Sequence, residues 1–537
     1  MKKIFLFILS VILLLACNNQ GVKHENQEKK VKKISKRDIS ITPANSYNDL
    51  FLDSMDVVDF IAKDSIPDSI SRRITSFYNT RNYQFAWFSS DGLSEQAMGF
   101  TSLLNFTADT SKEQKSLLKK LDGMMADSDL TVSSKDKNAI NTELRLTQNF
   151  IGYTRNNFEK GYIKRKEAER FIPFKKVDAV DNADSLLNKK HRDDKYFSDI
   201  NEPYKLLSDQ LRKYLEIVKS NQWLEIPQFS KSIKPGESSD AIRVLKNDMF
   251  LTGDLAVKDS STIYDAALSN AIKNFQQRNG FTPDGKISKD LLMRVNINPK
   301  ERLKQILINM NRMRWLPVKP PGKLALVNIP EFVLHMYDGP KEVFSMPVVV
   351  GKEGHNTVLF SDRLTTIVFS PYWNVPPSIV KKEVVPGMQK DPNYLEAHNM
   401  ETTGNEGGLP VVRQKPGDKN SLGKVKFLFP NIFNIYFHDT PAKSLFSKDQ
   451  RAYSHGCIRL SDPTKMAEYL LQDDKAWTPE KINEAMNSGN EKFVQVKDPV
   501  PVFITYYTAW VDKNGQLNFR DDIYGHDKSV EEKMFIQ

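Results

Sequence analysis

Within YFHDTPAKSLFSKDQRAYSHGCIRL, residues 436–460, side chains that do chemistry fall close together: His438, then Ser454, His455 and Cys457, with Gly456 between the last two. A cysteine attacks as its thiolate, and a free thiol has a pKa of about 8.5, so it needs assistance at neutral pH. A nearby imidazole gives it by taking the proton and later protonating a leaving amine. Gly456 permits a close backbone approach, so the amides around Gly456 and Cys457 can face a developing oxyanion. Such donors contribute about 3–4 kcal/mol in a transition state. Two other readings stay open. His438, His455 and Cys457 are zinc-ligand types, although no second cysteine accompanies them and the spacing matches no common finger. Cys457 can also be an inert buried thiol.

These residues need elements to hold them. In NIYFHDT, strand alternation puts Ile435 and Phe437 on one face and Tyr436 and His438 on the other, a polar pair that suits a cleft lining. The SHGC turn follows far enough along the chain for a loop to return beside that strand. The helical pattern ERLKQILINMNRMRWLP is followed by strand-like runs: KLALVNI, FVLHMYDG with a hairpin signal at Asp338-Gly339, VFSMPVVVG, RLTTIVFSPYWNVP and VKFLFPN. Two more strands flank Asn514-Gly515. Residues 300–537 therefore read as one mainly β domain. Between Pro377 and Lys424 lies a polar insert of nearly fifty residues. Loops of that length are usually functional or disordered. A lid at about 378–424 is expected, with a disordered loop as the alternative.

Upstream, residues 46–222 read as a helical scaffold domain: Ile70, Ile74, Phe77 and Tyr78 form a helical stripe, and nothing there has catalytic spacing. Pro and Gly accumulate over 223–242 and mark a boundary. Residues 225–298 carry two short stripes, Ile242/Leu245/Met249 and Leu268/Ile272/Phe275, the second stopped by Gly280 before a turn at Pro283-Asp284-Gly285. The expected fold class is multidomain α+β. The length of 537 residues implies about three or four domains, and 39% hydrophobic content is enough for real cores. The chain opens MKKIFLFILSVILLLACNNQ. Its uncharged run from Ile4 to Ala16 is shorter than the roughly 20 residues a membrane span needs, and has the layout of a secretory signal over 1–16. Residues 17–45 read as a basic flexible tether. A formal charge of +10 can suggest nucleic acid, but export removes that partner and leaves anionic wall polymer, lipid headgroups or simple solubility.

Three resemblances sharpen the reading. Leu14-Leu15-Ala16-Cys17 resembles a bacterial lipobox, which implies a diacylglycerol on Cys17 and an anchor on the periplasmic face of the envelope. Cys457 is then left unpaired where disulfides form. Asn18 and Asn19 in place of an acidic retention signal favour the outer membrane. FQQRNGFTPDGKIS, with its surroundings at 225–298, resembles the small helical peptidoglycan-binding module, a plain helix-turn-helix linker being the alternative. Finally, His438, Ser454-His455-Gly456-Cys457 and Ile458-Arg459 fit the pattern of the YkuD-type L,D-transpeptidases. SPYWNVPPSI, RQKPGDKNSLGKVKFLFPN, HDTPAKSLF, YYTAWVDKNGQLNFRDDIYG and FYNTRNYQFAWFSSDGLS resemble its large YcbB-like branch.

That resemblance implies attack on the bond between the third stem residue and D-Ala, a thioester on Cys457, and resolution by the amine of another stem to give a 3→3 cross-link. Resolution by water gives an L,D-carboxypeptidase instead, and a wall-binding lipoprotein with an idle domain is the third possibility. The resemblance makes His438 the base and later acid, and gives His455 with the Gly456 and Cys457 amides the oxyanion pocket. It puts Tyr436, Ser454, Trp373 and Asn420 at the substrate, with core and turn roles as the alternative for Trp373 and for Asn420 to Gly423. Arg459 is expected on a stem carboxylate, with a structural salt bridge as the alternative. The Asp439 backbone carbonyl, rather than its carboxylate, is expected to orient His438. Carbapenem acylation of Cys457 and a capping subdomain in the insert also follow, with no metal or organic cofactor. The expected partners are donor and acceptor stem peptides, the membrane through the lipid, and other wall-synthesis proteins, with no nucleic acid.

Overall fold

The computed structural model describes residues 34–106, 111–127, 129–159, 161–227, 233–318 and 322–536. The signal segment, Cys17 and most of the expected tether lie outside the described residues. The N-terminal region is helical, as the apolar periodicity requires. The helix Asp68–Thr80 buries Ile74, Phe77 and Tyr78, with Ile70 packed beside them. Its aromatic partner segment forms a short hairpin, β1 (Phe88–Ser89) and β2 (Gly92–Leu93), which sends Trp87 and Phe88 into the same core. Glu143 of the helix Lys137–Asn157 is buried beneath that hairpin. It accepts from the Ala86 and Trp87 N–H groups at 2.7 and 2.9 Å and from the Tyr78 hydroxyl at 2.9 Å. Burial pushes its pKa up to about 7 against those bonds, so a carboxyl in the core is satisfied rather than orphaned.

The helices Asp240–Thr252, Ala266–Arg278 and Lys289–Val295 form a separate small unit with its own core, built on both stripes read from the sequence. Gly280, at φ +79°, ends the second helix where a side chain would be strained.

The β domain is built from β3 (Lys323–Asn328), β4 (Val333–Asp338), β5 (Lys341–Gly351), β6 (Ser361–Phe369), β10 (Val425–Leu428), β11 (Phe437–His438), β13 (Ile458–Leu460) and β14 (Lys492–Thr505). They pair in the order β5-β13-β11-β10-β6-β14-β3-β4, and β4 pairs back onto β5, so the sheet closes on itself. β12 (Ala452–Ser454) adds to the far end of β5. The helices Pro463–Leu471 and Pro479–Asn487 contribute Met466, Leu470 and Ile482 to the β core. The insert is ordered: β7 (Trp373–Asn374), β8 (Met400–Glu406) and β9 (Leu409–Gln414) make a three-stranded sheet, and a π turn over Val380–Val384 packs on it. The expected lid is thus a subdomain with its own core of Val375, Val380, Val384 and Val412, and it starts at Trp373 rather than 378.

One expectation fails at the domain boundary. The helix Pro299–Met313, read as the opening of the β domain, belongs to the scaffold core: Leu303, Ile306, Leu307, Ile308, Met310 and Met313 are all at most 2% exposed there. The C-terminal hairpin, β15 (Ala509–Val511) with β16 (Leu517–Phe519), and the helix His526–Met534 pack on the same core. No helix among the described residues is long and apolar enough to cross a membrane.

Candidate active site

β11 and β13 run parallel, with Phe437 opposite Ile458 and His438 opposite Arg459. Phe437 and Ile458 are fully buried in the core. Alternation then puts Tyr436, His438, Cys457 and Arg459 together on the other face. Two short strands, inserted between β5 and β10, therefore align four chemically active side chains by register alone.

His438 is 4% exposed and its Nδ1 lies 2.5 Å from the Asp439 backbone oxygen. A carbonyl can only accept, so Nδ1 carries the proton and Nε2 is left as the acceptor. Burial, helped by Arg459 and by Lys426 across the ladder, pulls the imidazole pKa down to about 3. His438 is neutral at physiological pH. The Asp439 carboxylate is turned elsewhere, accepting from Lys443 Nζ at 2.6 Å and from the Lys424 N–H at 2.9 Å. It is not a triad acid. Gly423 makes that second bond possible, since a Cβ there would fall 2.3 Å from Asp439 Cγ.

Cys457 is partly exposed and free. Its thiol donates to the Asn434 carbonyl at 3.5 Å. Burial pushes its pKa up, while hydrogen bonding from Tyr436 and the Arg459 charge work the other way. Tyr436 is raised in turn by burial and by Cys457, and its ring lies 5.7 Å from that of His438. The resting pair is therefore neutral thiol and neutral imidazole. Catalytic bonds commonly tighten only when substrate is present.

The turn around Cys457 is stitched by Ser454, whose hydroxyl donates to the Cys457 carbonyl at 2.5 Å and accepts from the Gly456 N–H at 3.1 Å. Ser454 is 2% exposed, so it shapes the loop and does not reach the cleft. The same bond removes the Gly456 amide from the expected oxyanion pocket. Gly456 sits at φ +113°, a conformation that requires glycine. His455 contacts the lid and a neighbouring imidazole. Its Nε2 lies 3.8 Å from Glu383 of the lid, and its ring is 5.0 Å from that of His355. Burial, with Lys352 and His355 nearby, lowers its pKa, and Glu383 opposes this.

Arg459 forms no ion pair among the described residues, and its Nε is buried without a partner. Burial depresses even this guanidinium, with the Cys457 thiolate working in the opposite sense. A structural salt bridge is therefore not its role. Trp373 and Asn420, expected along the cleft, hold the lid instead. Trp373 packs on the lid core. Asn420 is fully buried and donates to the backbone oxygens of Pro371 and Lys415 at 3.0 and 2.9 Å, while accepting from the Leu422 N–H at 2.8 Å. Sequence reasoning missed Asn434, Glu383, His355 and Thr357. Asn434 alone carried a signal: it precedes the strand and adopts φ +54°, which Asn tolerates.

A neutral base tied at one nitrogen, a thiol on the same face and an unpaired guanidinium suit acyl chemistry on a substrate that carries a carboxylate. Comparison with known proteins agrees on the class. Residues 322–504 match the YkuD family, described as an L,D-transpeptidase catalytic domain. Residues 72–211 match a scaffold domain, and residues 245–294 match a "Putative peptidoglycan binding domain". A "Putative L,D-transpeptidase" of Haemophilus influenzae is 32% identical over 242 residues, 42% of this chain and 48% of the relative. The chain thus spans about half the length of the curated relative it matches. Among solved structures, an L,D-transpeptidase from Mycobacterium smegmatis is 16% identical, covering 34% of this chain and 58% of its own, with a TM-score of 0.20. One from Stackebrandtia nassauensis is 14% identical, covering 52% and 97%, with a TM-score of 0.21. The fold assignment rests on the strand pairing and the domain matches. Residues 322–504 thus form a domain of the YkuD family, preceded by segments that match the scaffold and peptidoglycan-binding domain families.

Proposed function

We propose that the protein is a peptidoglycan L,D-transpeptidase that forms 3→3 cross-links through a thioester on Cys457. The observation that carries this is the β11/β13 register, which sets His438 and Cys457 on one face while the Asp439 carbonyl leaves Nε2 as the basic nitrogen. Rotation of the thiol from Asn434 toward His438 starts the reaction. Nε2 takes the thiol proton as sulfur bonds to the stem carbonyl carbon, and the carbonyl π pair moves to oxygen. Collapse restores the carbonyl, breaks the C–N bond and expels D-Ala, whose amine takes the proton from Nε2. The side-chain amine of a second stem then attacks the thioester. It gives its proton to His438 and releases the thiolate, which is reprotonated. Arg459, unpaired beside both groups, holds a stem carboxylate, as the planar guanidinium suits. The module at 225–298 holds the polymer, and lipid on Cys17 tethers the protein to the periplasmic face of the envelope, at the outer membrane.

Mass spectrometry after mixing the tether-free protein with disaccharide-tetrapeptide tests this, with Cys457→Ala alongside. A dimer that has lost one D-Ala and is absent from the variant is the expected product. Tripeptide monomer alone moves the activity to L,D-carboxypeptidase, with water resolving the same thioester. No Cys457-dependent product leaves a wall-binding protein. Carbapenem adding its mass to wild type and not to Cys457→Ala is the companion result.

A further inference from the structure

The peptide that carries the Cys457 N–H is held from outside the motif. With the Gly456 N–H committed to Ser454, the Cys457 N–H is the backbone donor at the thiol that has no partner among the described residues. The peptide joining Gly456 to Cys457 is trans. Its C=O and N–H lie in one plane and point in opposite directions. Whatever fixes the Gly456 carbonyl therefore also fixes the line along which the Cys457 N–H points.

Thr357 fixes that carbonyl. Its hydroxyl donates to Gly456 O at 2.8 Å and accepts from the Gly351 N–H at 3.0 Å, and the residue is 1% exposed. A β-branched side chain is stiff at χ1, so the hydroxyl has little freedom once the loop is set. The loop is set tightly: a Cβ at Gly351 would fall 2.0 Å from the His355 backbone oxygen and 2.9 Å from the Thr357 nitrogen. Tyr524, from the C-terminal segment, clamps both ends of this loop. Its hydroxyl donates to Gly351 O at 2.5 Å and accepts from the Thr357 N–H at 3.3 Å. The Tyr524 N–H is in turn held by the Tyr506 hydroxyl at 2.8 Å. A hydrogen bond to the carbonyl also polarises the peptide, which makes the N–H at its other end a better donor.

We propose that Thr357, clamped by Tyr524, is a positioning residue that aims the Cys457 N–H at the oxyanion of the tetrahedral intermediate. Neither residue touches substrate. The inference rests on the acyl-transfer reading, because the oxyanion forms only when sulfur adds to a carbonyl.

Two reactions of the same thiol separate aim from general loop integrity. Acylation by disaccharide-tetrapeptide needs the oxyanion donor, whereas alkylation by iodoacetamide displaces iodide at a saturated carbon and needs only the thiolate. In Thr357→Val, single-turnover acylation read by intact mass is expected to slow about 10–100-fold, since losing one such donor outright costs about 10²–10³. KM and the iodoacetamide rate stay within about threefold of wild type. Thr357→Ser, which keeps the hydroxyl, stays close to wild type. Tyr524→Phe loosens the clamp without removing the Thr357 hydroxyl, and shows the same selective loss at smaller size even if the valine variant fails to fold. Unchanged acylation in both Thr357→Val and Tyr524→Phe overturns the proposal. So does an equal fall in acylation and alkylation, or a serine variant as slow as valine. If wild type with an alkylatable Cys457 forms no thioester at all, the acyl-transfer reading itself fails, and this inference with it.

Discussion

His438 is an imidazole that the fold holds neutral, and that choice has a cost in acid. Its pKa is about 3 in the folded chain against an ordinary value of 6.5. Above pH 6.5 neither state is protonated and the residue contributes nothing to pH dependence. As pH falls below 6.5 the unfolded chain binds a proton that the folded one refuses, so stability is lost progressively toward pH 3. One pKa unit corresponds to about 1.4 kcal/mol, so the loss between pH 7.5 and pH 4.5 is about 2–3 kcal/mol from this residue. Denaturant unfolding at those two pH values should show a gap smaller by that amount in His438→Gln. Arg459 makes a second test. It lowers the His438 pKa and has no carboxylate of its own. Arg459→Gln is expected to reduce kcat/KM for tetrapeptide about 10–100-fold, the worth of a hydrogen bond to a charged group. It should also move the acid limb of the acylation profile to higher pH, which loss of binding alone would not do. At this scale alternation in NIYFHDT was enough to pair Tyr436 with His438, because a strand with one buried face leaves no choice of register. Ser454, Trp373 and Asn420 were different. Nearness to a motif says nothing about hydrogen-bond direction, and each is occupied with backbone or lid core.

The lid is an element whose existence was legible and whose construction was not. Its length marked it, but β8 is METTGNE, with no residue fully buried and no apolar alternation to read. Its core comes instead from valines far apart in sequence, Val375, Val380, Val384 and Val412, which no local pattern joins. Asn420 welds the lid base to Pro371 and Lys415. Replacing it by Ala leaves the Leu422 N–H and two carbonyls without this partner in a buried place, at about 1–3 kcal/mol each where they stay unsatisfied. Because those groups lie at the base of the lid and not in the β core, the damage should stay local. Limited proteolysis of Asn420→Ala is expected to cut within 373–424 faster than in wild type. The main thermal transition moves little.

At the scale of the whole molecule, the catalytic domain does not stand apart from the scaffold. Sequence placed a boundary at residue 300 because an amphipathic helix precedes the first strand, and adjacency in sequence looked like membership. The helix Pro299–Met313 is buried on nearly every side, by scaffold helices and by the C-terminal hairpin and helix together. Arg312 near its end shows how the parts are joined. It pairs with Glu95 of the scaffold at 2.8 Å and with Asp527 of the C-terminal helix, and lies over the Tyr506 ring at 5.4 Å. Asp527 also accepts from the Thr508 hydroxyl at 2.6 Å. Tyr506 holds the Tyr524 N–H, so the same buried arginine supports the segment that clamps the 351–357 loop. Removing one partner of a buried ion network costs about 3–5 kcal/mol, because the remaining charges keep their desolvation penalty. Arg312→Met should therefore lower the thermal midpoint by several degrees and, at a temperature where it is still folded, slow acylation more than alkylation of Cys457. A drop in the midpoint with both reactions of Cys457 unchanged would mean that the scaffold carries the catalytic domain without adjusting it.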